Sequence, residues 1–340
     1  MSKRFEIAII GADSPIAEAL FELMAERKFP AGETSALVLD PQSEADVRFA
    51  GAPLLLEDAR TFDFTQVQLA FLADDDAELS AQAERAADAG AVVIDATGQA
   101  WRDSAIPLVV PEVNARALAR FNERGIVASP DRLNVALAPV LAALHAGFGL
   151  EHVSLTGLLP ASDGGRTALE DLARETTALL NARFYERRYF ARQIAFNVLG
   201  QDGDAGVDGS TERERRIAEE LPMLLGLPQL TVRATLLQVP VFYGYAASAE
   251  LRFARPPDAA AAQALIEALS GFTVEASRVA EDGATPVTDA ALNPEIRVGR
   301  LRVPRGEAHA LQLWLVADNV RRCSALNALA NAEIVIRDYL

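Results

Sequence analysis

The first 128 residues alternate short, almost wholly apolar runs with helical segments, and this alternation limits the possible folds more than any other feature. The chain opens with an apolar run at 5–10, turns at Gly11 and continues as a segment with helical apolar periodicity at 16–24. The same alternation predicts a helix at 77–89 and strands at 36–39, 69–73, 91–95, 108–110 and 126–128. Strands this apolar are typical of a parallel sheet covered by helices on both faces. Residues 1–128 are therefore predicted to form an α/β domain, a doubly wound parallel sheet of the dinucleotide-binding type.

After Pro130 the pattern changes to longer helices and to strands with few crossover units. An exposed loop rich in glycine and aspartate is predicted at 200–210. The predicted helices lie at 133–145, 167–180, 259–269 and 324–336, and the predicted strands at 152–159, 231–242, 249–253, 296–303 and 311–316. This order favours an α+β domain on a mostly antiparallel sheet over residues 129–318. A length of 340 residues agrees with two domains.

The composition of the chain argues against several classes of function. A formal net charge of −16 leaves no chain-wide basic surface, so neither nucleic acid nor an anionic membrane is expected as a partner. Lysine occurs only at positions 3 and 28, which excludes a phosphate loop of the GxxxxGK type. One cysteine and three histidines make a metal site improbable. The single cysteine and the lack of a signal-peptide pattern predict a cytoplasmic protein.

The segment 11–17 lies between the first strand and the first helix, where a dinucleotide-binding domain holds the pyrophosphate. Gly11, Asp13 and Ser14 are the candidate cofactor-binding residues in this segment. Only Gly11 supplies a glycine of the kind that such a loop needs, and Asp13 adds a negative charge. The alternative is a tight turn in which Asp13 or Ser14 caps the helix and Pro15 is its first residue.

Asp40 follows the second predicted strand, where a carboxylate can accept a hydrogen bond from the 2′-hydroxyl of a ribose. Since the same charge repels a 2′-phosphate, any dinucleotide bound here is expected to be NAD rather than NADP. The alternative is an ordinary turn, because Pro41 comes next.

Two acidic clusters and the single cysteine have simple structural interpretations. The run 74–76 precedes a predicted helix, and three carboxylates there favour its dipole. Asp202, Asp204 and Asp208 lack the spacing of an EF-hand and are predicted to form a flexible loop. Cys323 follows two arginines, which would favour a reactive thiolate, but it is expected to pack as a small apolar residue.

Five short strings connect the chain to a known family: PLVVPEVN at 107–114, QIAFNV at 193–198, VPVF at 239–242, VGRLR at 298–302 and LWLVADN at 313–319. Together they resemble aspartate-semialdehyde dehydrogenase, over nearly the whole chain. The resemblance implies a Rossmann-type domain completed by the segment 319–340, and a central α+β domain that carries catalysis and a homodimer interface. It also implies reduction of aspartyl phosphate with NADPH through a thioester on a cysteine.

The residues at the catalytic positions implied by this resemblance differ from those that the chemistry requires. Arg132 stands at the cysteine position, and a guanidinium is always protonated and cannot attack a carbonyl. Leu159 stands in place of a glutamine, and Gln238 in place of a substrate-binding arginine. Tyr245 takes the place of the acid–base histidine, although a tyrosine, with an ordinary pKa of about 10, is poorly suited to proton transfer at pH 7.

The resemblance also implies three further binding positions. Asn319, in the last of the five strings, is a candidate for contact with the cofactor. Arg102 and Arg216 are candidates for binding the substrate or another anion.

Three functions follow from these observations. The first is a non-catalytic, homodimeric paralogue of the Usg type, which acts through binding, with a small-molecule ligand or without one. The second is an oxidoreductase that uses NAD for direct hydride transfer, with Arg132 binding a carboxylate and Tyr245 donating a proton. The third is an aspartate-semialdehyde dehydrogenase of amino-acid biosynthesis. The change of all four catalytic residues at once favours the first.

Overall fold

The computed structural model describes residues 3–42, 47–201, 203–275, 282–291 and 293–340, without the side chain of Trp101. Its helices and strands are β1 Phe5–Ile10, α1 Pro15–Glu26, β2 Ala31–Val38, β3 Arg48–Phe49, β4 Ala52–Pro53, β5 Leu56–Asp58, β6 Leu69–Leu72, α2 Ala77–Asp88, β7 Val92–Asp95, α3 Pro111–Asn114, β8 Ile126–Ala128, α4 Arg132–Phe148, β9 Leu150–Leu159, α5 Gly165–Leu180, α6 Glu212–Leu225, β10 Thr231–Gln238, β11 Tyr245–Phe253, α7 Ala259–Glu267, β12 Phe272–Glu275, β13 Ile296–Arg302, β14 Ala310–Ala317 and α8 Asn327–Asp338. The chain forms two compact units, Met1–Arg132 with Ser324–Leu340, and Leu133–Cys323.

Unit 1 is built on a six-stranded sheet in the order β5-β2-β1-β6-β7-β8, in which every pairing is parallel. This is the strand order of a doubly wound dinucleotide-type sheet, so the predicted fold class is confirmed. Strands β6 and β7 are buried along their whole length, and they are apolar except for Asp95 at the end of β7. Helix α1 begins at Pro15, whose fixed φ suits the first helical position.

Two parts of unit 1 differ from the prediction. The strand predicted at 108–110 is reduced to a single bridge between Leu108 and Ala128. The reason is that Pro111 starts α3 at once, and the side-chain oxygen of Asn114 accepts from the N–H of Val110 at 2.9 Å. Strands β3, β4 and β5 were not predicted, because strands of two or three residues show no periodicity.

Unit 2 contains a second six-stranded sheet, in the order β10-β9-β11-β14-β13-β12. The three inner pairings are antiparallel, as predicted, while the two outer pairings, β10 with β9 and β12 with β13, are parallel. Helix α4 lies against this sheet over Gly157. A Cβ at that position would stand 2.8 Å from a methyl carbon of Leu133 and equally close to one of Leu236, so a side chain there would displace both leucine side chains.

Three elements of unit 2 and the last helix of the chain differ from the prediction. Helix α6 was missed, although Thr211 and Glu214 form a capping box at its start and Gly226 ends it in the left-handed region. Strand β12 was also missed. Strand β10 ends at Gln238 rather than at 242, since Pro240 has no N–H to continue the ladder. The last predicted helix begins with a wide turn at Arg321–Leu326 before α8.

Candidate functional site

The turn between β1 and α1 in unit 1 is tightly closed. Gly11 has a φ of +82°, and a Cβ there would lie 2.5 Å from the Cβ of Asp74. The Ser14 hydroxyl accepts from the N–H of Ala17 at 3.1 Å and donates to the carbonyl of Ala73 at 2.7 Å. Ser14 is therefore the N-cap of α1, as the alternative interpretation proposed, and its side chain is committed to that turn.

This turn is surrounded by carboxylates. Burial raises the pKa of Asp74, a hydrogen bond from the N–H of Asp76 opposes the rise, and the charges of Asp75, Asp13 and Asp76 add to it. Carboxylates close enough to raise the pKa of Asp74 do not favour a further anion at this turn. The place where a dinucleotide-type domain holds a pyrophosphate is thus electrostatically hostile to phosphate in this chain.

The raised pKa of Asp74 has a consequence for stability. A carboxyl whose pKa is higher in the folded than in the unfolded state destabilises the fold while it is charged, and the loss is recovered as the pH falls through the raised pKa. We expect Asp74→Asn to stabilise the protein at pH 7 by about 0.5–2 kcal/mol. The gain should shrink toward pH 4, and thermal unfolding at both pH values measures it. Asp75→Asn removes an exposed charge that contributes to the repulsion without being buried itself, so it should give a clearly smaller gain; equal effects of the two variants would contradict the argument.

Asp40 and Arg102 were the other candidates in unit 1. Asp40 is exposed, and its carboxylate accepts from the N–H of Gln42 at 3.0 Å, which is the geometry of a local turn through Pro41. Arg102 is exposed and lines a groove of about 260 Å³ together with Asp95 and Asp103. Both candidates thus lie beside or within local turns of unit 1.

Unit 2 contains a polar cluster that the sequence did not reveal. The hydroxyl of Tyr245 donates to Asp163 and accepts from Arg213 at 2.7 Å, and Arg213 also forms an ion pair with Asp163. Tyr245 is fully buried, and the carboxylate of Asp163 is 8% exposed. The tyrosine at the histidine position is therefore held on both sides by charged groups.

Asn319 fixes the two segments that carry this cluster. Its side-chain oxygen accepts from the N–H of Gly244 at 3.0 Å, and its amide bonds to the hydroxyl of Ser162 at 3.0 Å. Ser162 precedes Asp163, and Gly244 precedes Tyr245, so one buried amide holds both segments in place. Asn319, a candidate for the cofactor in the sequence, belongs to unit 2.

A second buried ion pair lies on helix α6. Arg216 donates through Nε to Glu220 at 2.7 Å, and Asn134 of α4 donates to the same carboxylate at 2.8 Å. Glu220 has no exposed side-chain surface, and Arg216 is 12% exposed. Arg216 is thus neutralised by a carboxylate one helical turn away.

Three of the positions named by the resemblance come together at one end of the unit 2 sheet. Leu159 ends β9, Gln238 ends β10 in register with it, and Tyr245 begins β11 on the other side of β9. Arg132 is the half-buried first residue of α4 and is assigned to unit 1. Cys323 is fully buried in the turn before α8, as its packing interpretation proposed.

Sequence reasoning missed Asp163, Arg213, Glu220 and Asn134. The signal for one pair was present, since the arginine and glutamate at 216 and 220 stand four residues apart on one helix face. This spacing did not lead to a predicted ion pair, because helix α6 itself was not predicted. Asp163 and Asn134 carry no such local signal.

No group of three or more histidine, cysteine, aspartate or glutamate side chains in the described part of the chain is placed to hold a metal ion. Among the helices described, none is both long enough and apolar enough to cross a membrane. Asp202, one of the three carboxylates of the acidic loop, lies outside the described residues.

Comparison with known proteins covers both units. Residues 6–121 match the family model described as the NAD binding domain of semialdehyde dehydrogenase, and residues 141–322 match its dimerisation domain. A USG-1 protein homolog of Azotobacter vinelandii is 37% identical over 99% of both chains. Aspartate-semialdehyde dehydrogenase 2 of Vibrio cholerae is 36% identical over the full length of both. The crystal structure of aspartate semialdehyde dehydrogenase II from Vibrio cholerae, complexed with ASA, superimposes with a TM-score of 0.93 at 34% identity and covers 100% of both chains.

Proposed function

Because this chain belongs to the aspartate-semialdehyde dehydrogenase family, we propose that it is a homodimeric member that lacks the family's thioester chemistry and acts through binding. The observation that carries the proposal concerns the nucleophile. The chain has one cysteine, and Cys323 is fully buried. Arg132 occupies the position that the resemblance assigns to the catalytic cysteine, and its guanidinium supplies neither a thiolate nor any other nucleophile.

The acid–base position supports the same proposal. A group that moves a proton during a reaction must reach the reacting atoms and change its charge easily. The hydroxyl of Tyr245 is instead buried between Asp163 and Arg213. Direct hydride transfer with Tyr245 as the proton donor would have to break this ion-paired arrangement, so the oxidoreductase alternative is the weaker one.

The turn between β1 and α1 also supports the proposal that this chain lacks the family's chemistry. The family implies NADP, and the residues present do not fit a pyrophosphate: Asp74 lies against Gly11, and Asp13 and Asp76 add charge to the same turn. The Ser14 hydroxyl is already used within the turn. The turn between β1 and α1 therefore does not favour a bound dinucleotide in this chain.

Calorimetric titration of the full chain with NAD and then with NADP tests this part of the proposal. We expect no measurable heat of binding with either dinucleotide at millimolar concentration. The Vibrio cholerae relative, titrated with NADP under the same conditions, is the positive control. Micromolar binding of NAD alone would support Asp40 as a ribose ligand and restore the oxidoreductase alternative; binding of NADP would overturn the interpretation of the loop.

We propose a homodimer because the family model that matches unit 2 is described as a dimerisation domain. Residues 141–322 match a dimerisation domain, and these residues make up nearly all of unit 2. Closed two-fold dimers are also the commonest assemblies of soluble proteins.

A further inference from the structure

The unit 2 sheet carries a groove on the face opposite to helix α4. Its volume is about 440 Å³, within the range of pockets that hold small organic molecules. Ser248 of β11, Trp314 of β14 and Gly299 of β13 stand opposite one another across the sheet, so they share this face and form the floor of the groove. Because Gly299 has no side chain, it leaves space beside the indole of Trp314.

A β-bulge places two arginines at this groove. Between the pairs that Gly299 and Arg302 form with β14, strand β13 has two residues and β14 has one. Without the extra residue, Leu301 rather than Arg302 would lie on this face. Arg300 has a φ of +55°, a backbone region that an arginine occupies only at a cost in free energy. The strand thus keeps a strained backbone at the place where two guanidinium groups line the groove.

The aromatic wall of the groove has a fixed orientation. The indole Nε1 of Trp314 donates to the carbonyl of Ala284 at 2.9 Å, and the ring packs against the buried cluster that contains Ala284 and Val316. Glu275 accepts from the N–H of Ala284 at 2.7 Å and so holds the same segment. A ring that stacks on this indole meets a surface that is already ordered, which lowers the entropic cost of binding.

The charge of the groove is opposite to that of the chain. The segment 296–306 carries four arginines and neither aspartate nor glutamate, whereas the whole chain has a formal net charge of −16. Arg300 and Arg302 are exposed and line the groove. Glu275 also lines it, but this carboxylate forms an ion pair with Arg297 at 3.3 Å and offsets little of their charge. Guanidinium groups bind phosphate and carboxylate through paired hydrogen bonds.

We propose that this groove binds a small organic anion, in which one flat ring stacks on Trp314 and a phosphate or carboxylate group bonds to Arg300 and Arg302. A volume of about 440 Å³ suits a ligand of one ring rather than a dinucleotide. The inference goes beyond the proposed function, because the groove includes none of the catalytic positions and holds whether or not the thioester chemistry is lost.

Tryptophan fluorescence of the full chain tests the proposal. In a Trp101→Phe background Trp314 is the one tryptophan, so its emission reports on this groove. We expect phenyl phosphate or benzoate to quench it, with a dissociation constant at least about tenfold lower than that of the matched uncharged molecule, phenol or benzamide. Quenching by phenyl phosphate alone would assign a phosphate ligand, and quenching by benzoate alone a carboxylate ligand.

Three arginine variants localise the binding and separate it from stability. Arg300→Gly removes a guanidinium at a φ that suits glycine, so we expect a higher melting temperature together with a dissociation constant at least about tenfold higher. Arg302→Gln should weaken binding by a similar factor, and it keeps the test valid where the first variant fails to fold. Arg305→Gln removes an exposed arginine of the same segment that is not among the lining residues, so this matched control should leave binding unchanged.

The proposal is overturned if neither anion quenches the emission at millimolar concentration. Equal binding of the charged and uncharged molecules would overturn it as well, and so would equal binding by the wild type and both groove variants. None of these outcomes bears on the missing thioester chemistry, which the rate of turnover measures separately.

Discussion

Purified protein supplied with aspartate semialdehyde, NADP and phosphate is expected to react at least about 10⁴-fold more slowly than the Vibrio cholerae relative in the same assay. Thioester chemistry needs an accessible thiolate, and the only thiol of this chain, Cys323, is fully buried. Loss of a nucleophile in a catalytic group removes most of the rate enhancement, because such residues act as a unit. Following the formation of NADPH by absorbance, with the relative as positive control, measures the difference.

Placing a cysteine at position 132 tests whether the chain lacks only the catalytic thiol or whether the rest of the site has also lost its function. We expect Arg132→Cys to leave the rate within about tenfold of the wild type, because Tyr245, Gln238 and the acidic turn remain unchanged. Recovery of a large fraction of the relative's rate by this one change would show that only the nucleophile had been lost. Wild-type turnover at a rate comparable with that of the relative would refute the proposed function altogether.

Removal of the carboxylate of Glu220 should cause a large loss of stability. Glu220 is fully buried and accepts from Arg216 and Asn134, so Glu220→Ala removes the carboxylate that bonds to a nearly buried guanidinium. Breaking a buried ion pair in this way costs about 3–5 kcal/mol. Chemical unfolding in urea at pH 7 measures the loss as a lower midpoint.

The same helix provides the controls for this experiment. Glu219→Ala removes an exposed carboxylate at the adjacent position and should change the free energy of unfolding by less than about 0.5 kcal/mol. Replacing both partners, by Arg216→Met with Glu220→Leu, should recover much of the loss, since an apolar pair requires no desolvation of charge. A loss below about 1 kcal/mol for Glu220→Ala would mean that solvent screens the pair.

Elements with long apolar runs could be predicted from the sequence, and elements defined by polar residues could not. Strands β6 and β7 follow from the runs of buried apolar residues at 69–72 and 92–94, which is how a doubly covered parallel strand must be composed. Helix α6 begins with five charged residues in succession, so its apolar face is weak until its second half. Its capping box and terminal glycine were the better signals, because they depend on backbone geometry rather than hydropathy.

The unit 2 cluster could be predicted only in part. Tyr245 was named through the resemblance, but its partners Arg213 and Asp163 stand 32 and 82 residues away in the chain. No local pattern relates side chains at such separations, since only the sheet order brings β9, β11 and the start of α6 to one place. A tight turn at Gly11 could be predicted from the sequence. Its contact with Asp74 could not, because that contact depends on the pairing of β1 with β6.

The burial of Cys323 makes this chain convenient for site-specific labelling. A single cysteine introduced at an exposed position such as Leu55 would be the one thiol that a maleimide dye reaches in the folded protein, with no native cysteine to remove first. Two labelled batches, one with a donor and one with an acceptor dye, would then report subunit exchange in real time by energy transfer.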